Sequence, residues 1–144
     1  MILLTINIKY LLLVAVVTIL AVSCAKIFSR SSNQPMQLKS WADVGVEEFQ
    51  TYIADPSVQL LDVRTQEEFD EGHIAGATLV DVNDTTFVEK AMAILDKQRP
   101  VAVYCRSGRR SARAATLLVG QGMKVTNLSG GVIAWQDAGK SLVK

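Results

Sequence analysis

The chain has 144 residues, 49% of them hydrophobic and 20% charged, with a formal net charge of +1. That length suits one domain and not two, and a balanced charge excludes a global electrostatic drive toward nucleic acid. Any local crowding of basic residues must therefore have a local reason.

Read from the N-terminus, Tyr10 to Val22 is apolar throughout except for Thr18, and Lys9 precedes it. The run is shorter than the roughly 20 residues that span a bilayer. It reads as the core of a signal peptide over residues 1–23. Ala21-Val22-Ser23-Cys24 resembles a bacterial lipoprotein signal, although leucine stands at position 20 where position 21 is usual. The expectation is a lipidated Cys24 and a domain facing the periplasm on a membrane anchor. A plain cleaved signal, with secretion to the periplasm, and an uncleaved anchor are the alternatives. Residues 24–40 are polar, contain Pro35 and read as a flexible tether.

The domain is expected over residues 41–144. Phe49, Tyr52 and Ile53 share one face of a helix that Asp55-Pro56 ends. A strand follows over residues 58–63. Thr65 and Glu68 fit a capping box for a short helix that stops at Gly72. Residues 78–82 read as a buried strand, and Asn83-Asp84 as the cap of a helix with Phe87, Ala91, Ile94 and Leu95 inward. Val101–Tyr104 is a third strand. A helix from about Ser111 places Ala114, Leu117 and Leu118 inward and ends at Gly120 or Gly122. Lys124–Leu128 is a fourth strand, Ser129-Gly130-Gly131 a turn, and Val132–Ala138 a last helix with Trp135 in the core. Strands alternating with helices predict an α/β fold with a central, mainly parallel sheet flanked by helices. Ligands of such sheets sit beyond the carboxyl ends of the strands.

Cys105 lies at such an end. With Cys24 lipidated it is the only free thiol, and it precedes Arg106, Ser107, Gly108, Arg109, Arg110 and Ser111. Backbone amides of a tight loop and the start of a helix can both stabilise a thiolate, which is the nucleophilic form. The arginines are candidates for holding an anion, because a guanidinium presents a planar fork of donors. Arg110 is the first choice for substrate contact, Arg106 and Arg109 are open, and Arg113 is a surface or structural residue. Ser107 and Gly108 contribute backbone amides. Ser111 adds a cap or a hydroxyl aimed at the sulfur.

Three motifs carry a family resemblance. Leu61-Asp62-Val63-Arg64-Thr65, with Glu68-Phe69, Gly72-His73-Ile74 and Gly76-Ala77, resembles the opening motif of rhodanese-like domains. Val103–Ser111 resembles their active-site loop, and Leu128–Trp135 their closing motif. The resemblance implies a rhodanese-like fold and sulfur transfer through a Cys105 persulfide. The donor would be a small anion such as thiosulfate, or a persulfide, and the acceptor cyanide or a thiol. It further implies that Asp62 and Arg64 form a buried pair fixing the loops, with a pocket role for Arg64 as the alternative. His73 is read as a structural hydrogen bonder. No cofactor, metal or nucleic acid is expected, and the protein is expected to be a monomer. Rhodanese-fold phosphatases and arsenate reductases share the architecture, but their signature needs five residues between cysteine and arginine. Here Arg110 follows after four. A non-catalytic binding module is the remaining alternative, against which the intact Cys105 loop speaks.

Overall fold

The apolar run Val101–Tyr104 becomes β4, the central strand of the sheet, and all four of its residues are fully buried. A computed structural model describes residues 40–144; the expected signal segment, Cys24 and residues 24–39 of the tether lie outside the described residues. In chain order the elements are β1 (Ala42–Val44), α1 (Val46–Ile53), β2 (Gln59–Asp62), α2 (Gln66–Glu71), β3 (Thr78–Leu79), α3 (Phe87–Ile94), β4 (Val101–Tyr104), α4 (Arg109–Gly120), β5 (Val125–Leu128) and α5 (Gly131–Asp137). The five strands run in the order β1-β5-β4-β2-β3, and every pairing is parallel. Among the described residues no helix is long and apolar enough to cross a membrane.

A parallel sheet covered on both faces needs two cores, and period-2 alternation supplies them. Val101, Val103 and Cys105 face one core with Phe87 and Ala91 of α3 and Ala114, Ala115 and Leu118 of α4. Ala102 and Tyr104 face the other, with Phe49 of α1 and Trp135 of α5. Phe49 and Trp135 meet edge to face, with centroids 6.5 Å apart. The Trp135 indole N–H donates to the Ser141 carbonyl at 3.1 Å, so its polar edge is satisfied.

The structure departs from the sequence expectations in four places. Ala42–Val44 forms an additional edge strand on β5. The expected strand over residues 78–82 is only two residues long, although Val80 N–H still bonds Asp62 O at 2.9 Å. Helix α3 starts at Phe87, with Thr86 at its N-cap; Asp84 instead accepts from the Thr86 N–H at 2.8 Å, an Asx turn that precedes the helix. Ile94 and Leu117 are exposed rather than inward, at 52% and 39%. For α4 the inward face is Ser111, Ala114, Ala115 and Leu118, the i, i+3, i+4, i+7 set, which leaves Leu117 outside.

Candidate active site

Strand β4 delivers Cys105 to the carboxyl edge of the sheet, and α4 begins four residues later. The turn between them needs Gly108 at φ 89°, the left-handed region that glycine enters without steric cost. This turn directs the Gly108 N–H at the Cys105 sulfur, 3.2 Å away, and sets the Ser111 hydroxyl 3.3 Å from it. Cys105 is only 1% exposed. Burial pushes its thiol up. The Ser111 hydroxyl and the backbone amides of Ser111, Ser107 and Gly108 push it down, and together they prevail, so the pKa lies below its ordinary value. The sulfur thus sits in a nest of donors at the N-terminus of a twelve-residue helix, an arrangement that favours negative charge.

The closing motif holds this loop from outside. Val132 N–H donates to Cys105 O at 2.9 Å and Ile133 N–H to Arg106 O at 3.1 Å. With those carbonyls drawn toward the first turn of α5, the loop amides are left to face the sulfur. Contact is so close that a Cβ on Gly131, at φ 59°, would lie 2.3 Å from Cys105 O. The sequence marked Gly130-Gly131 only as a turn. Its role as the seat of the cysteine loop depends on β5 and β4 lying side by side.

Asp62 pairs with Tyr104 in the sheet register, so Arg64 emerges at the same edge as Cys105. Arg64 Nε lies 3.0 and 2.9 Å from the two Asp62 oxygens, and its Nη2 lies 2.6 Å from Oδ2 and donates to Gly72 O at 2.8 Å. Side-chain exposures are 6% and 0%. Burial pulls the Arg64 guanidinium down, but Asp62 outweighs it and keeps the cation firmly charged. Its carbon sits 5.7 Å from the Tyr104 ring centroid. The Tyr104 hydroxyl accepts the Ile74 N–H at 3.0 Å, and burial followed by the Asp62 charge keeps that phenol protonated. His73 stacks on Phe69 at 3.7 Å, its Nδ1 3.2 Å from Phe69 O, and its backbone pairs with Val143.

The four arginines have different surroundings. Arg110, expected to contact the substrate, is gripped by Glu68 through two bonds of 2.6 and 2.7 Å. Arg113 donates to Val82 O and to Asn83 Oδ1, tying α4 to the loop before α3. Arg106 and Arg109 are exposed and make no ion pair among the described residues. The sequence places Glu68 in the opening motif and reads it as part of a capping box, which is also formed: its backbone N–H reaches Thr65 Oγ1 at 3.4 Å and its carboxylate accepts the Thr65 N–H at 3.2 Å. A cleft of about 570 Å³ adjoins the loop, lined by Arg64, Glu71, Arg106, Ile133 and Gln136 among others. Among the described residues no group of three His, Cys, Asp or Glu side chains is placed to hold a metal ion.

The rhodanese-like domain model matches residues 45–138. The chain belongs to the rhodanese-like domain family. Its curated relatives include proteins with sulfurtransferase names. Thiosulfate sulfurtransferase 18 of Arabidopsis thaliana is 34% identical over 121 residues, covering 76% of this chain and 88% of that protein. A sulfurtransferase of Allochromatium vinosum is 36% identical over 103 residues, covering 70% and 94%. Among solved structures, a rhodanese-like domain protein from Staphylococcus aureus superposes with a TM-score of 0.60 at 28% identity, over 72% of this chain and 99% of that one. The fold is therefore rhodanese-like: a parallel sheet with helices on both faces and a cysteine loop at its carboxyl edge.

Proposed function

We propose that this domain is a sulfurtransferase that carries sulfane sulfur on Cys105 as a persulfide. The observation that supports this most is the donor nest: a buried sulfur meets a hydroxyl and backbone amides, and no side-chain base. Such a site stabilises an anionic sulfur, either the thiolate or its persulfide, without moving a proton. In the first half-reaction the Cys105 thiolate attacks the outer sulfur of thiosulfate. A new S–S bond forms, the donor S–S bond breaks, and its electron pair leaves with sulfite. In the second, a thiolate or cyanide attacks the outer sulfur of the persulfide, and the Cys105 thiolate returns as leaving group. Two displacements through one covalent intermediate are ordinary nucleophilic catalysis. Arg106 and Arg109 draw the anionic donor to the mouth, and Asp62–Arg64 fixes the neighbouring loop.

The names of the relatives support the transfer reaction, and the six-residue span from Cys105 to Arg110 favours it over phosphate chemistry. The test is steady-state turnover by the full-length chain. Thiosulfate and cyanide should yield thiocyanate and sulfite in equal amounts, and Cys105→Ser should abolish both. Cys105-dependent hydrolysis of a small aryl phosphate at a comparable rate would overturn the assignment. We further propose the lipid anchor at Cys24, from the apolar run and small residues before it. Cys24→Ala should move the protein from the membrane fraction to the soluble periplasm, and unchanged fractionation would contradict it.

A further inference from the structure

Arg110 is the last residue of the six-residue cysteine motif, yet its two terminal nitrogens are turned toward another partner. Nη1 lies 2.7 Å from Glu68 Oε2 and Nη2 2.6 Å from Oε1, the two-pronged geometry in which a guanidinium recognises a carboxylate. Glu68 is itself fixed, because Oε2 also accepts the Thr65 N–H at 3.2 Å at the start of α2. The two side chains are 23% and 25% exposed, so the pair sits at the mouth and not in the core. Glu68 raises the Arg110 pKa most; burial opposes it, and the Cys105 sulfur adds to the rise through its charge and a hydrogen bond. The guanidinium therefore lies beside the sulfur, while its two-pronged bond goes to Glu68. A sulfonate and a carboxylate compete for the same face of one fork. Glu68 and Glu71 also line the cleft beside the loop, where an incoming polyanion meets them.

We propose that Glu68 is a specificity-determining positioning residue that, by holding Arg110, weakens the grip of the loop on doubly charged oxyanion donors and turns the enzyme toward less charged sulfur donors such as organic persulfides. This rests on the sulfur-transfer reading. Glu68 acts through Arg110 and touches no reacting atom. Thiosulfate must enter against a filled fork and a neighbouring carboxylate, whereas a persulfide with an uncharged tail needs neither.

The test is Glu68→Gln in the full-length chain. Glutamine at the same position still serves the capping box, so the start of α2 is kept. Two readouts are taken. The first is the sulfate concentration that half-protects Cys105 from iodoacetamide, which reports oxyanion binding without any sulfur transfer. The second is KM for thiosulfate against KM for 2-hydroxyethyl persulfide. In Glu68→Gln the sulfate value and the thiosulfate KM should each fall by about tenfold, the scale of one charge-assisted contact, and the persulfide KM should stay within about twofold. Adding Arg110→Gln should erase the gain. An unchanged or weaker sulfate protection, or an equal shift of both KM values, would overturn the role of Glu68. If neither donor loads Cys105, the transfer reading fails, and sulfate protection alone still decides whether Glu68 withholds Arg110 from anions.

Discussion

Two arginine–carboxylate clamps stand at the same edge of the sheet, and they differ in one respect above all. The Asp62–Arg64 clamp is buried, with side-chain exposures of 0% and 6%, and Arg64 spends a further donor on Gly72 O. The Glu68–Arg110 clamp has similar bond lengths, but about a quarter of each side chain meets solvent. Breaking the first leaves a buried charge with little access to water. Breaking the second lets water or an arriving anion take the vacated place. Burial, and not bond length, thus makes one arginine a strut and the other a group that can exchange partners.

The sharpest way to break this contrast is Asp62→Ala. It should cost about 3–5 kcal/mol in urea unfolding, the range for an uncompensated buried charge. A loss below that of the Glu68 variant would show that the buried clamp is no strut. Next comes the seat of the loop between the clamps. Gly131→Ala pushes a Cβ against Cys105 O and forces alanine to positive φ, at about 1–3 kcal/mol. It should also slow iodoacetamide alkylation of Cys105 at neutral pH, because the loop amides lose their aim. Unchanged stability and alkylation would mean that α5 does not shape the nest. Ser111→Ala removes one donor from the sulfur, worth about 1 kcal/mol, so alkylation at pH 7 should slow roughly three- to tenfold. The midpoint of its pH profile should move upward; a downward move would contradict the role given to the hydroxyl.

The smallest effect sits on the open clamp. Arg110 first, against burial, holds the Glu68 carboxyl at about 2, below its ordinary 4.5. A depressed carboxylate stabilises the fold above its unfolded value and loses that contribution as the pH falls through the folded one. Glu68→Gln should therefore cost up to about 1 kcal/mol at neutral pH, after solvent screening. The gap from wild type should close between pH 4.5 and about 2, which denaturant melts across that window would show. A gap that persists at the acid end would mean that the pair is not its source.

Local pattern made most of the sheet legible. The run Val101–Tyr104, the capping box at Thr65 and Glu68, and the glycines at 108 and 131 all signal through neighbours in sequence. What stayed hidden is long-range. Glu68 and Arg110 are 42 positions apart, and nothing in the spacing of either residue announces the partner. Ala42–Val44 is three residues long with two of them exposed, too brief for an alternation to show, and β5 alone makes it a strand. Ile94 closes the last turn of α3 and lies half exposed in a cleft it shares with Leu79 and Val80. The sequence reading sets Leu117 inward beside Ala114 and Leu118, a position the sheet does not cover. Alanines at 114 and 115, both fully buried, are what the sheet accommodates, since α4 packs close to it.

The central claim concerns a single sulfur atom. Full-length protein incubated with thiosulfate, freed of excess reagent and weighed intact, should be heavier by one sulfur. Cyanide should return it to the starting mass, and the Cys105→Ser chain should gain nothing. An unchanged mass with both thiosulfate and 2-hydroxyethyl persulfide, or a gain that survives in Cys105→Ser, would contradict the persulfide mechanism.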